Sequence, residues 1–202
     1  TFLLSRWAGG LVTRYGARLP LIIGPIIAAV GFVLFALPDT EGSYWTTFFP
    51  AIVVLGFGMS LVIAPLTTTA MSSVEGRHSG LASGVNNAVS RAAGLLAIAV
   101  LGIFVFLAFS ATLDAHTASL DLSPQAQQQL EAEKVDLGAA QVPEGVSGQV
   151  AADVKQAVAE SFVAGFRVAM ITAAVLALAS AAASALIIEG KGSAAHTEPA
   201  PA

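Results

Sequence analysis

Asn87 and Arg91 stand four residues apart in an otherwise apolar, small-residue stretch, GLASGVNNAVSRAAG (80–94). An amide and a guanidinium in hydrocarbon surroundings need hydrogen-bonding or ionic partners, so the chemistry this pair offers is recognition and charge pairing, not bond-making. On a helix advancing about 100° per residue, Gly80, Gly84, Asn87, Ala88, Arg91 and Gly94 fall within one arc of about 120°. Gly76, Gly80, Gly84 and Ala88 recur every fourth residue, a ridge that lets another helix approach closely. Such a face is expected to look into a bundle or a wet cavity and not at lipid. Two readings of Arg91 stay open: an arginine that packs or snorkels, or one that lines a polar path with Asn87 or pairs with an acid from elsewhere in a longer chain. Its depth depends on where the membrane begins. If it begins at Ser79, Arg91 lies about 18 Å up the helix; if only 92–109 is submerged, it sits at the boundary.

A second cluster precedes it. Arg6, Arg14 and Arg18 place three of the nine basic residues within thirteen positions, around GGLVTRYGAR (9–18). Other chemistry is scarce. His78, His116 and His196 fall in loops or the tail, too far apart for a metal site or a triad, and no metal or cofactor is expected. There is no cysteine, which excludes thiol nucleophiles, thiolate ligands and disulfides. GFGMS (56–60) begins like a dinucleotide fingerprint but lacks its third glycine and lies in an apolar span, so it reads as close helix packing. No acidic residue falls within an apolar span, so a proton-relay carboxylate, if the protein uses one, must come from elsewhere. An intramembrane enzyme would need buried His, Asp or Glu that the spans lack.

The elements that position these residues are membrane helices. Of 202 residues, 55% are hydrophobic and 11% charged, and the mean hydropathy is +0.77, the balance of an all-α polytopic transmembrane bundle. A net charge of −4 with scattered basic residues argues against nucleic acid as a partner. Four stretches are long enough to cross a bilayer: 19–37, 45–71, 79–109 and 161–188. Tyr44 and Trp45 stand as an interfacial belt at the start of the second, and Pro25, Pro50 and Pro65 predict kinked, tightly packed helices.

Between them, residues 1–18 read as the end of a preceding span plus a turn, 110–160 as an acidic loop, and 189–202 as a small, polar tail expected to be disordered. Within the loop, Ser123 and Pro124 mark the start of a short surface helix, and 147–162 is expected to run straight into the last span. Apolar residues in the loop are too sparse for an independent core. Residues 5–18, 72–78 and 189–202 carry five basic against three acidic residues; 38–44 and 110–160 carry two against ten. Positive charge on the cytoplasmic side places the arginine turn and the C-terminus inside and the acidic loop outside. Residue 1 is Thr with no leader pattern after it, and we expect the chain to be part of a longer polypeptide.

These stretches resemble a known family. GGLVTRYGARL (9–19) is similar to the cytoplasmic-loop motif Gly-x-x-x-Asp-Arg-x-Gly-x-Arg-Arg of the major facilitator superfamily, with Gly9, Arg14, Gly16 and Arg18 matching. Thr13 replaces the usual acid and Leu19 the last basic residue, departures typical of the degenerate copy in the family's second half. GFGMSLVIAPLTTTAM, GLASGVNNAVSRAAGLLAIAVLG and SFVAGFRVAM resemble, in order and spacing, the last three spans of fourteen-span drug:proton antiporters of the EmrB/QacA type. The resemblance implies the C-terminal half of a major facilitator fold in the plasma (inner) membrane. It also implies alternating access around a small-molecule site near the midplane, coupling to protons, and a turn (Gly9, Arg14, Gly16, Arg18) that latches neighbouring helices in one transport state. Gly80, Gly84, Asn87, Arg91 and Gly94 then become candidates for the substrate path or for packing against the amino-terminal spans. The chain alone is expected to transport nothing. The competing reading is a four-span membrane anchor that presents 110–160 and has no transport activity.

Overall fold

The computed structural model describes residues 17–40, 44–72 and 79–188. Gly9, Arg14, Gly16, His78, His196 and the tail 189–202 lie outside them. Among the described residues every regular element is helical: α1 (Arg18–Ala36), α2 (Phe49–Ser72), α3 (Ser79–Thr117), α4 (Pro124–Glu133) and α5 (Gly148–Ile187). A π-helical turn, Tyr44–Phe48, precedes α2, and a 3-10 segment, Lys134–Ala139, follows α4. Four helices, all but α4, are long and apolar enough to cross a membrane.

α5 joins the two flanks of the arrangement. It packs antiparallel to α1 on one side and to α3 on the other, while α2 packs on α1 and touches α3 only slightly. Small residues set these distances. A Cβ on Gly58 of α2 would lie 2.5 Å from the Ala28 nitrogen and 2.8 Å from the Gly24 oxygen of α1. One on Gly31 would lie 2.8 Å from the Leu55 backbone. The two backbones are in direct contact, the close approach that membrane helices use where burial of apolar surface gives no drive. GFGMS therefore splits by side: Gly58 and Ser60 are buried, while nothing comes within 4 Å of a Cβ on Gly56. On the other flank a Cβ on Gly165 of α5 would meet the Val105 carbonyl oxygen of α3 at 3.0 Å. Pro25 and Pro65 are buried inside α1 and α2, where neighbouring backbones can meet the carbonyls they leave free.

α3 and α5 run 39 and 40 residues. At 1.5 Å per residue each is about 60 Å long, twice the hydrocarbon thickness of a bilayer. The polar segment 110–160 is accordingly not all loop. α3 continues past Phe109 to Thr117, and α5 begins at Gly148. Between them Ser123 caps α4, its Oγ accepting from the Ala126 N–H at 3.2 Å with Pro124 in the first turn.

Against the expectation that apolar residues in 110–160 are too sparse for an independent core, nearly all of the core at this end is drawn from that segment. Leu122, Ala126 and Leu130 bury against Leu113 of α3 and Val154, Ala157 and Val158 of α5, all within 110–160, and against Phe109 just before it. The helix extensions at both ends of the segment complete this core, with their apolar residues spread among polar ones along the sequence. Phe109, Leu113 and Val154 are fully buried. We call this folded end the cap.

Lys134 is buried in the cap. Its Nζ lies 2.7 Å from an Asp114 oxygen and pairs also with Glu131. Burial pulls the Lys134 pKa down, but hydrogen bonds and charge from Asp114 and Glu131 outweigh it and leave the group above the ordinary lysine value. A raised folded pKa contributes stability that is complete below the unfolded value and is lost only as pH climbs through the folded one, so the triad is constant across neutral pH and weakens in strong alkali. Both carboxylates are largely exposed and stay hydrated if the lysine is removed. We therefore expect Lys134→Met to cost the cap only about 1 kcal/mol. Asp114→Ala with Glu131→Ala should cost more, because it leaves the cation buried and unpaired. Hydrogen exchange at 122–134 would report both; equal losses would refute this reading of the triad.

Candidate functional site

The small and polar face begins at the first turn of α3. A Cβ on Gly80, Gly84 or Gly94 would meet no heavy atom within 4 Å, and Asn87, Ala88 and Arg91 are exposed. α3 holds all five candidates, Gly80, Gly84, Asn87, Arg91 and Gly94, on one surface and brings no described helix to them. The uncovering is general here: Leu81, Val85, Val89 and Leu96, on the remaining sides, are exposed as well. Farther along, Val105 packs against Gly165 of α5. Counting along antiparallel α5 from the Val105–Gly165 contact puts Arg91 level with about residue 179, some six residues from Ala185.

Ala185 marks the end at which Arg18 sits. Of the arginine-turn residues Arg18 is described, and its Nη2 donates to the Ala185 carbonyl at 2.8 Å. The last turn of α5 carries carbonyls with no intrahelical partner and the negative end of the helix dipole, and a guanidinium at the start of α1 meets both. At the other end of the same helix pair the arrangement repeats in reverse. Arg167 of α5 donates from Nε to the Ala36 carbonyl at 3.0 Å and from Nη2 to the Pro38 carbonyl at 3.3 Å, and pairs with Asp39. Each of α1 and α5 thus has its carboxy-terminal end capped by an arginine of the other.

Sequence reasoning puts Arg167 in a span and gives it no role. Its acceptors are mainly backbone carbonyls, which leave no mark in the sequence; the one available signal is an arginine within an apolar stretch, where a partner is obligatory. His116, by sequence an isolated loop residue, lies instead on the last turn of α3, because the helix outruns its apolar stretch. Its Nδ1 is 3.5 Å from a Glu160 oxygen of α5. Asp39, Thr40, Thr112, His116, Glu160, Val163, Ala164 and Arg167 line a cavity of about 310 Å³ at this end of the bundle. Among the described residues no three His, Asp or Glu side chains converge in a way that could hold a metal ion.

Long apolar helices joined by backbone-to-backbone contacts define a polytopic membrane protein. The profile of the Major Facilitator Superfamily matches residues 1–122, more than half of the chain, and the chain belongs to that family of membrane transporters. It is 31% identical over 119 residues to the multidrug resistance protein Stp of Mycobacterium tuberculosis, covering 56% of this chain and 21% of Stp. It is 34% identical over 138 residues to a triacylglyceride transporter of Mycolicibacterium smegmatis, covering 57% and 23%. Over 179 residues it is 25% identical to the tetracenomycin C resistance and export protein of Streptomyces glaucescens, covering 87% and 33%. The chain spans between a fifth and a third of the length of these relatives.

Proposed function

We propose that this chain supplies the last spans of a secondary active exporter of drugs or other small molecules, of the fourteen-span, proton-coupled EmrB/QacA type. In this reading it lies in the plasma membrane with the arginine turn and the C-terminus in the cytoplasm and the cap outside. The observation that carries it is the surface of α3 holding Gly80, Gly84, Asn87, Arg91 and Gly94. In a family member, a helix packed at one end and bare at the other has its bare length set aside for the other spans of the transporter and for the path between them. The relatives named for drug resistance and for export support the direction of transport, and the acidic 110–160 segment before the last span supports the subfamily. Gly9, Arg14, Gly16 and Arg18 act as the cytoplasmic latch, and the bond from Arg18 to the last helix supports a latching role.

In the complete transporter, Arg91→Ala is expected to lower dye efflux from loaded cells by about tenfold, the loss of roughly 1.4 kcal/mol of differential interaction, with Arg91→Lys intermediate and the protein level unchanged. Efflux equal to wild type would remove Arg91 from the path. A reporter fused after Ser193 that is active only outside the cell would overturn the orientation.

A further inference from the structure

Two arginine caps join α1 to α5, and chain length sets the distance between them. From Arg167 to Ala185 along α5, and from Arg18 to Ala36 along α1, is eighteen residues, about 27 Å at 1.5 Å per residue. The hydrocarbon layer of a bilayer is about 30 Å thick. Antiparallel contacts carry these levels to the neighbouring helices. Val105 against Gly165 puts Arg167 level with about residue 103 of α3 and Ala185 with about residue 85, and Gly31 against Leu55 puts the ends of α1 level with about residues 50 and 68 of α2. Strictly between these levels, Arg91 is the one acidic or basic residue on the four helices. Charge is costly in hydrocarbon, and the caps stand where the charge-free length of α1 and α5 ends.

On the cap side of Arg167, exposed apolar surface continues a short way and stops. Phe104, Phe106 and Leu107 of α3 and Phe162 of α5 are exposed, and farther toward the cap, among the described residues of these two helices, no large apolar side chain is. Phe109, Leu113, Val154 and Val158 all turn into the core. Counted along the helices, Leu107 and Phe162 stand about 6 and 7.5 Å beyond the level of Arg167. That is the depth of a bilayer's headgroup region, roughly 5–7 Å on each side, and aromatic rings favour it. Tyr44 and Trp45, both exposed, fall on the same side, past the end of α1.

We infer that the two arginine caps mark the two faces of the hydrocarbon layer, with Leu107, Phe162, Tyr44 and Trp45 among the phospholipid headgroups on the cap side. Lipid chains then touch these helices only between the caps. The apolar stretches 103–109 and 161–166, which hydropathy assigns to the membrane, stand outside the hydrocarbon, and the cap stands in water. Arg91 lies inside it: level with about residue 179 of α5, it is six residues, about 9 Å, from the face that Arg18 marks. The inference rests on the chain spanning a membrane, not on export or on which way the cap faces, since either orientation gives the same depth profile.

Spin labels on single cysteines test it, placed at Leu107 of α3 and at Phe162, Ile171 and Val175 of α5, all exposed positions. The full polypeptide, cleared of other cysteines, is held in phosphatidylcholine nanodiscs. Collisions with oxygen, which enters hydrocarbon, are compared with collisions with a nickel chelate, which does not. Another span covering a label lowers both rates together, so the ratio still reads depth. Ile171→Cys and Val175→Cys are expected to give ratios about tenfold or more above Phe162→Cys and Leu107→Cys, the exclusion that hydrocarbon imposes on a polar solute. Ratios at Phe162→Cys and Leu107→Cys equal to that at Val175→Cys would put the hydrocarbon edge at Phe109 and overturn the assignment. A ratio that has already fallen at Ile171→Cys would overturn it from the other direction, since the layer would then end short of Arg167.

Discussion

Gly58→Val is expected to drive α1 and α2 apart and to cost about 3 kcal/mol, the upper part of the range for overpacked cores. A Cβ at residue 58 would stand 2.5 Å from a backbone nitrogen and 2.8 Å from a backbone oxygen of α1, and neither atom can rotate away as a side chain could. Relief requires the helices to separate by about 1 Å, bringing these contacts to ordinary van der Waals range, and that separation also loosens Gly24 against Val62 and Gly31 against Leu55. Gly56→Val is the control. Two residues away on the same helix, it meets nothing within 4 Å and should leave thermal unfolding of the detergent-solubilised protein nearly unchanged. Size-exclusion profiles after heating distinguish the two; equal melting of both variants would show that the α1–α2 backbones are not in contact.

Arg167→Ala is the second large effect expected, at about 2 kcal/mol. It removes the donors to the Ala36 and Pro38 carbonyls and to Asp39 together, and it leaves the last turn of α1 with acceptors at the edge of hydrocarbon where water is scarce. Arg167→Lys should recover about half, since an ammonium is a point charge and cannot reproduce a guanidinium that donates to several acceptors at once. Asp39→Asn should cost under about 1 kcal/mol, because that carboxylate is 81% exposed. Amide exchange in residues 33–38 is the direct measurement. Protection that survives Arg167→Ala would mean that α1 ends without help from α5.

The membrane helices are legible in the sequence because hydropathy integrates over about twenty residues and tolerates Gly and Pro inside a span. The clustering of Gly80, Gly84, Asn87, Arg91 and Gly94 on one side of α3 is legible from spacing alone. The cap is not, and the reason lies in particular residues. Asp114 and His116 end the apolar run after Phe109, so the sequence reads as leaving the membrane there, yet Phe109 and Leu113 are one helical turn apart and keep a buried face going. Likewise Val154, Ala157 and Val158 sit among Asp153, Lys155, Gln156 and Glu160, where polarity on three sides hides an apolar fourth. Lys134 gives a faint signal as one of two basic residues in an acidic segment, but nothing in its spacing identifies Asp114 as its partner.

The reciprocal arginine caps of α1 and α5 have a consequence for genetics. Arg18 and Arg167 bond mainly to carbonyl oxygens, and every residue type supplies one. Ala36 and Ala185 can change identity without altering the acceptor, so no compensating substitution at those positions is needed to keep the bond and none can be selected to restore it. Searches for correlated changes between positions, or for second-site revertants of an Arg18 variant, would leave Ala185 unmarked, and a contact that joins two helices at both ends would be silent to both methods.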